Sequence, residues 1–217
     1  MILRLSKLPD TAPCQADKMA FVRDRTEMFT DRVPKQARLQ VEYQKSDQLS
    51  RLELPADDRL RAGARLIEGA LQTEQCQPVR KACAGFLATA ADFYAVSRPK
   101  IRVLAARPLR VREDGGASEL FGDYHLEENV IRVWMRTAVQ KRVTSFGTFL
   151  STLCHEFCHH LDCERFGFRD TPHTRGFYER AAALYHHARS TTPKPLFWVP
   201  LANGRWRIDW PRTNRGG

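Results

Sequence analysis

The sequence predicts an α+β fold in which a small, mostly antiparallel sheet packs on one long helix, with other helices before and after it. Hydrophobic residues make up 42% of the 217 residues, which is enough for a sizeable core. The apolar pattern has helical spacing over residues 57–99, tends to alternate over residues 100–136, and is helical again from residue 144. These changes divide the chain into three predicted parts, residues 1–75, 76–190 and 191–217.

Residues 1–75 are predicted to form a mostly helical extension that packs on the core. Residues 15–32 have the pattern of a helix, and residues 38–45 alternate like a strand. Residues 57–75 predict a second helix with an aspartate cap. Its apolar stripe consists of Leu60, Ala64, Ile67 and Leu71.

Residues 76–190 contain the predicted sheet and the long helix. A helix with Pro78 in its first turn ends near Pro99. The elements that follow are strands at 100–105 and 108–112, a turn at 113–118, a hairpin at 119–136, a helix at 144–164, a loop at 165–170 and a helix at 171–190. Thr171 is the predicted cap of the last helix, and Pro172 its first residue.

Positive charge is concentrated in two stretches of the chain. The net charge is +10, and residues 98–112 carry six Lys/Arg and no acid. Residues 189–217, which include a basic tail with Pro and Trp, carry six Lys/Arg against Asp209 alone. Residues 206–210 of this otherwise irregular tail alternate, which predicts a short packed strand. A nucleic-acid partner is one interpretation of the clustered charge, and two solvated basic faces are the other.

The composition also argues against several classes of protein. No apolar run approaches the roughly 18 to 20 residues that a membrane span requires, and the first residues lack the apolar stretch of a signal peptide. The six cysteines form no C-x-x-C pair, so reduced thiols are expected. No glycine-rich nucleotide-binding motif occurs. We therefore expect a cytoplasmic protein without membrane contact, and the sequence is silent on its oligomeric state.

An H-E-x-x-H motif runs from His155 to His159 within the long predicted helix. Positions i and i+4 lie one turn apart on one face, so both imidazoles can bind one ion. Glu156 is placed to act as general base on a metal-bound water. At 100° per residue the histidines point away from the apolar stripe, which predicts a helix that lines a cleft. That stripe is Phe146, Leu150, Leu153, Phe157 and Leu161.

A catalytic zinc site usually has three protein ligands and one position for water, so a third ligand is expected. The candidates are Asp162, Glu164, Asp170, His173 and Glu179. On a helix over residues 171–190, His173 lies one turn before Phe177 and shares its apolar face, whereas Glu179 is displaced by about 200°. His173 is therefore the preferred third ligand, with Glu179 as the rival and a solvated, idle His173 as the other alternative.

The remaining polar residues near the motif have structural interpretations beside the functional ones. Cys154, Cys158 and Cys163 are expected to be packing thiols, although Cys158 lies near enough to the histidine face to join a closed, structural metal site. Asp162 is expected either to hydrogen-bond a ligand imidazole or to be a surface carboxylate.

Four other histidines and one tyrosine each have more than one possible role or a purely structural one. His160 is expected to be structural or to support the site, and His125 to border the cleft. Tyr178 is either a partly buried tyrosine or a donor to a developing oxyanion. His186 and His187 lie near a helix C-terminus, and this position alone explains them.

The order of elements, with "HEFCH" at residues 155–159 and "HTRGF" at residues 173–177, resembles the SprT-like zinc metallopeptidases. The hairpin "FGDYHLEENVIRVW" is similar to the strand pair before the active-site helix of that family, and the resemblance covers roughly residues 78–189. It implies a distant member with a zincin-like fold. It also implies Zn²⁺ bound by His155, His159 and His173, and catalysis by Glu156.

Together these observations predict a zinc metallopeptidase that hydrolyses peptide bonds in a protein or peptide substrate, in proximity to nucleic acid if the basic stretches bind it. A water on Zn²⁺ would lose its proton to Glu156 and attack the peptide carbonyl. Two alternatives stay open. One is a nucleic-acid-associated binding protein whose metal site is structural, and the other is an inactive zincin that serves as a partner-binding scaffold.

Overall fold

The computed structural model describes residues 21–22, 28–111 and 117–215, which form an α+β fold. The helices are α1 (Ala37–Gln48), α2 (Arg59–Leu71), α3 (Cys76–Tyr94), α4 (Phe146–Glu164), α5 (Arg175–Arg189) and α6 (Trp210–Arg215). The strands are β1 (Phe21–Val22), β2 (Lys100–Ala106), β3 (Leu109–Val111), β4 (Ala117–Leu120), β5 (Gly122–His125), β6 (Val130–Arg136), β7 (Trp198–Pro200) and β8 (Trp206–Ile208). No helix in these ranges is both long and apolar enough to cross a bilayer.

Strand β6 is the centre of the sheet that lies against α4. It pairs in parallel with β2, with Val103 opposite Val133, and antiparallel with β5, with Tyr124 opposite Ile131. The other two sheets have the order β1-β4-β3 and β7-β8, and their pairs are antiparallel. Mostly antiparallel pairing agrees with the prediction, but the described strands form three small sheets instead of one.

One hydrophobic core joins the helices to this sheet. Four of the five predicted stripe residues of α4 are at most 1% exposed, and Phe146 is half-buried. The whole predicted stripe of α2 is buried in the same core. The opposite face of α4 is buried as well, because α5 and the loop before it cover the histidines. The side chains on the H-E-x-x-H face are therefore largely buried.

The predicted strand over residues 38–45 is wrong, because these residues belong to α1. Their apolar side chains alternate in sequence, yet Tyr43 is buried while Val41 is 51% exposed. The buried face of α1 is partly polar, and the Ser46 hydroxyl lies 3.0 Å from Thr174 Oγ1 at the start of α5. Hydrophobic periodicity does not register a helix that docks through polar contacts.

The predicted helix over residues 15–32 is also wrong where the structure describes it. β1 is a strand, and residues 28–31 run beside β8, where the Thr30 N–H donates to the Trp206 carbonyl at 2.9 Å. A strand far along the chain thus provides the backbone partners that a helix would have provided. The rest of this prediction, residues 15–20 and 23–27, lies outside the described residues.

Helix α5 begins three residues later than predicted, and its N-cap is Thr174 instead of Thr171. Thr174 Oγ1 accepts a hydrogen bond from the Phe177 N–H at 3.0 Å. Thr171 has φ +36°, whereas an N-cap residue normally has an extended backbone. As a result, His173 lies in the loop just before the helix.

The C-terminal residues are more regular than predicted. The expected strand is β8, whose Ile208 is buried, and β7 completes a hairpin with it. Helix α6 was not predicted, although Asp209 before it and Pro211 in its first turn are typical start signals. The Asp209 carboxylate accepts a hydrogen bond from the Arg212 N–H at 3.0 Å. The predicted turn at 113–118 lies outside the described residues except for its last two, which open β4.

Candidate functional site

Three imidazoles meet where α4 faces the loop before α5. His155 Nε2 lies 3.0 Å from His173 Nε2 and 3.2 Å from His159 Nε2. Their possible ligand atoms all lie within 4.8 Å of one another, and each of the three residues is at most 6% exposed. Among the described residues, this is the one group of three or more His, Cys, Asp or Glu with the spacing of a metal site.

The spacing of these nitrogens suits a small tetrahedral ion. Nitrogens bound tetrahedrally at about 2.0–2.1 Å lie about 3.3 Å from one another. The two separations in the structure, 3.0 and 3.2 Å, come close to that value. Burial lowers the pKa of His155 well below its usual value, and His173 adds to this effect, so His155 is held in the neutral form that binds metals. The three side chains therefore fit an ion that prefers nitrogen ligands, such as Zn²⁺.

Polar groups behind the imidazoles fix their orientation. His159 Nδ1 lies 2.7 Å from Thr171 Oγ1, so a proton on Nδ1 leaves Nε2 free for the site. Asp31 binds the loop around His173, because its carboxylate accepts a hydrogen bond from the His173 N–H at 2.9 Å. The Asp31 N–H donates back to the His173 carbonyl at 2.7 Å, and His173 Nδ1 lies 3.5 Å from Asp31 Oδ2. Asp31 was not predicted, and nothing local in the sequence indicates its contact with a residue 142 positions later.

Phe177 forms the apolar base under the three imidazoles. Its ring is 4.4 Å from that of His159 in a stacked arrangement, and 4.8 Å and 5.1 Å from those of His155 and His173, measured between centroids. It is fully buried. The sequence predicted Phe177 on an apolar face near His173, but the histidine reaches the site from the loop and not from a helical turn.

Glu156 follows His155 in α4 and has an unusual environment for a carboxylate. It is fully buried, and neither of its oxygens has a hydrogen-bond partner in the described part of the chain. Burial, and next the charge of Asp123, raise its pKa well above the usual value. Gly122 makes room for it, because a Cβ there would lie 2.9 Å from Glu156 Oε1 and 2.6 Å from Thr152 Cγ2. A buried acid without partners is typical of a group that is kept for chemistry and not for stability.

Asp162 has neither of the two roles that were expected for it. It is 0% exposed, and both of its oxygens accept hydrogen bonds from Arg180 Nη2, at 2.7 and 2.9 Å. Arg180 is 1% exposed and also donates to the carbonyls of Ser46 and Leu49. The pair thus ties α4 to α5 and to the end of α1. The sequence did not single out Arg180.

The rival ligands lie apart from the cluster. Glu179 accepts a hydrogen bond from Trp198 Nε1 at 3.3 Å, and neither it nor Glu164 nor Asp170 belongs to the converging group. The Asp170 N–H donates to Glu42 at 2.6 Å. The structure therefore brings His155, His159 and His173 together, and none of the acidic candidates joins them.

The other histidines and Tyr178 have structural contacts. His160 Nε2 donates to the Ser97 carbonyl at 2.7 Å, and its Nδ1 accepts from the Tyr124 hydroxyl at 3.0 Å. His125 lies 3.5 Å from Asp123 at the edge of the sheet. Tyr178 is buried and donates to the Phe29 carbonyl at 3.0 Å, which uses the proton that an oxyanion would need. His186 and His187 lie in the last turn of α5, as expected.

The cysteines of α4 behave as packing groups. Cys154 and Cys158 are at most 1% exposed, and burial raises the pKa of both thiols far above the usual value. Cys163 is half-buried, and burial raises its pKa to about 12. None of them is part of the converging metal-ligand group, so the described residues offer three nitrogens and no sulfur.

The basic stretch at residues 98–112 is only partly available to a partner. Arg98 forms a bidentate pair with Asp92 at 2.8 Å. Arg107 is 6% exposed and binds Glu119 at 2.9 Å. Lys100 and Arg102 are exposed on β2. Internal contacts thus account for part of the charge that suggested a nucleic-acid partner.

No family model, curated protein or solved structure matches the chain. The identification of the site therefore depends on its own geometry.

Proposed function

We propose that the chain is a zinc metallopeptidase with a zincin-like fold, distantly related to the SprT-like enzymes that its motifs resemble. The observation that carries the proposal is the convergence of three histidine Nε2 atoms beside a buried carboxylate without hydrogen-bond partners. Three nitrogen ligands without a fourth protein ligand are typical of catalytic zinc sites, in which water takes the fourth position.

The residues of the chain have distinct parts in this reaction. His155, His159 and His173 would hold the ion, and Asp31 and Thr171 keep two of these rings oriented. A zinc ion supplies a Lewis acid that polarises a peptide carbonyl and lowers the pKa of water.

Glu156 is the proton carrier in this scheme. It takes the proton of the attacking water and passes it to the leaving nitrogen. The enclosed position of Glu156 also keeps bulk water away from the carboxyl.

The proposal is tested by metal content and hydrolysis in three proteins, the wild type, Glu156→Gln and His159→Ala. We expect about one zinc per chain in the wild type and in Glu156→Gln, and loss of zinc from His159→Ala. Casein-like substrates should be cleaved by the wild type and not by Glu156→Gln. A metal-loaded wild type that leaves such substrates intact under all conditions would contradict the proposal and favour an inactive scaffold.

A structural metal site is the main rival, and it would require a fourth protein ligand such as Cys158. The nucleic-acid partner remains a separate prediction. Binding through residues 98–112 or 189–217 should weaken steeply with salt, because phosphate neutralisation releases counterions. Salt-insensitive binding, or none at low salt, would remove that prediction.

A further inference from the structure

A pocket of ≈ 710 Å³ opens next to the histidine cluster. Its walls are the N-terminal half of α4, one face of α5, residue Met28 and the C-terminal segment that follows α5. His155 is the one candidate metal ligand in its lining. The pocket therefore reaches from the metal centre into a space that the proposed chemistry does not itself use.

The pocket has a definite direction along α4. Gly147, Ser151 and His155 all line it, and they follow one another at intervals of four residues on one helix face. Eight residues of helix separate Gly147 from His155, which corresponds to about 12 Å. An extended peptide rises about 3.3 Å per residue, so about three to four residues would cover that distance.

The end of the pocket that is far from His155 is positively charged. Arg189 and Lys194 line it, and both are exposed. Arg189 donates to the Tyr185 hydroxyl and Lys194 to the Asn214 carbonyl at 2.7 Å, but neither forms an ion pair with a described acidic residue. A Cβ on Gly147 would lie 2.6 Å from Arg189 Nη1, so the glycine lets the guanidinium lie against the start of α4. That helix start adds its own partial positive charge.

Among the described residues, no acidic side chain lines the pocket to balance these cations. Burial, then the charges of Lys194 and Arg189, lower the pKa of His186 beside them. The inner walls are mostly apolar, with Leu196, Ile208 and Trp210 among the lining side chains. Apolar walls that lead to a cationic end match an apolar peptide segment that carries a carboxylate.

We propose that this pocket binds the substrate peptide on one side of the cleaved bond and selects a carboxylate about three to four residues from it. The carboxylate belongs either to an Asp or Glu side chain or to the C-terminus of the substrate. Arg189 and Lys194 are the selecting residues. The inference rests on the proposed peptidase function for the position of the cleaved bond.

The test measures binding to zinc-loaded Glu156→Gln protein, so that it does not depend on hydrolysis. Three fluorescent pools of N-acetylated hexapeptides, randomised over apolar residues, serve as probes. One ends in Glu with an amidated C-terminus, one ends in Gln with an amidated C-terminus, and one ends in Gln with a free carboxylate. Fluorescence anisotropy gives the dissociation constant of each pool.

We expect at least one carboxylate pool to bind about three- to tenfold tighter than the amidated Gln pool at low salt, a modest factor because the cations are exposed. The pool that binds more tightly than the amidated Gln pool shows whether the carboxylate comes from a side chain or from the C-terminus. Arg189→Gln and Lys194→Gln, each added to the Glu156→Gln protein, should reduce the gain. Arg65→Gln removes an exposed charge on α2, away from the pocket, and should leave the preference for a carboxylate unchanged.

Equal binding of all pools, no binding of any pool, or a preference that survives the double removal of Arg189 and Lys194 would overturn the inference. Its failure is distinguishable from that of the proposed function. If the protein prefers the carboxylate pools but never cleaves a peptide, the pocket inference is supported and the peptidase function is contradicted. If the protein cleaves peptides but shows no preference for a carboxylate, the peptidase function is supported and the pocket inference is contradicted.

Discussion

Substitution of Asp162 by Asn should destabilise the protein far more than a comparable change on its surface. Asp162 and Arg180 are 0% and 1% exposed, and the carboxylate holds Arg180 through two contacts of 2.7 and 2.9 Å. In Asp162→Asn the guanidinium stays buried with only neutral partners, such as the carbonyl of Ser46 at 3.0 Å. Removal of one partner from a buried pair costs about 3 to 5 kcal/mol, a large part of the about 5 to 15 kcal/mol that stabilises a typical domain.

Urea denaturation followed by far-UV circular dichroism measures this loss as a change in the free energy of unfolding. Asp92→Asn is the matched control, because Asp92 also accepts two hydrogen bonds from one arginine, Arg98, but in an exposed position. It should change stability very little. Asp162→Leu combined with Arg180→Met should recover much of the loss, because an apolar pair leaves no buried charge. Equal effects of Asp162→Asn and Asp92→Asn would refute the reasoning.

Three further predictions concern the site itself. Asp31→Ala should weaken zinc binding about 10- to 100-fold, measured by competition with a chelator, because it removes the carboxylate behind one imidazole. Gly122→Ala should reduce hydrolysis but not zinc content, because the new Cβ would lie 2.9 Å from Glu156 Oε1. Cys154 and Cys158 should resist iodoacetamide in the folded protein, as judged by mass spectrometry, because burial keeps both thiols protonated.

Each of these predictions has a clear contrary result. Unchanged zinc affinity in Asp31→Ala would mean that the loop holds its histidine without the carboxylate. Full hydrolysis in Gly122→Ala would show that the carboxylate does not need the position it has in the structure. Rapid alkylation of Cys154 or Cys158 at native stability would show that the core around α4 opens readily.

The sequence predicts well those parts of the fold whose signals are local. Helix α4 follows from its apolar stripe, and the β5–β6 hairpin from strands with a short turn between them. The sequence favours His173 over Glu179 as the third metal ligand, because His173 shares the apolar face of a predicted helix. His173 does reach the cluster, but it lies in a loop and not in a helix. Asp31 binds the backbone of this loop, and Thr174 caps the helix that follows it.

Other parts of the site depend on contacts between distant residues, which periodicity cannot encode. Arg180 meets the carbonyl of Ser46 across 134 positions, and Thr30 meets Trp206 across 176. α1 was read as a strand because its docking face is partly polar. The pocket beside His155 exists only because the C-terminal segment returns to cover α5. These features are determined by tertiary contacts and not by the local conformational propensities of the residues.

X-ray absorption of the zinc-loaded protein tests the central claim most directly, because it reads the atoms bound to the ion. Three imidazole nitrogens at about 2.0–2.1 Å with one oxygen ligand and no sulfur are the expected result, and the imidazole signal should fall in His173→Ala. A sulfur ligand at about 2.3 Å, or zinc binding that is unaffected by His173→Ala, would contradict the three-histidine site and the peptidase that depends on it.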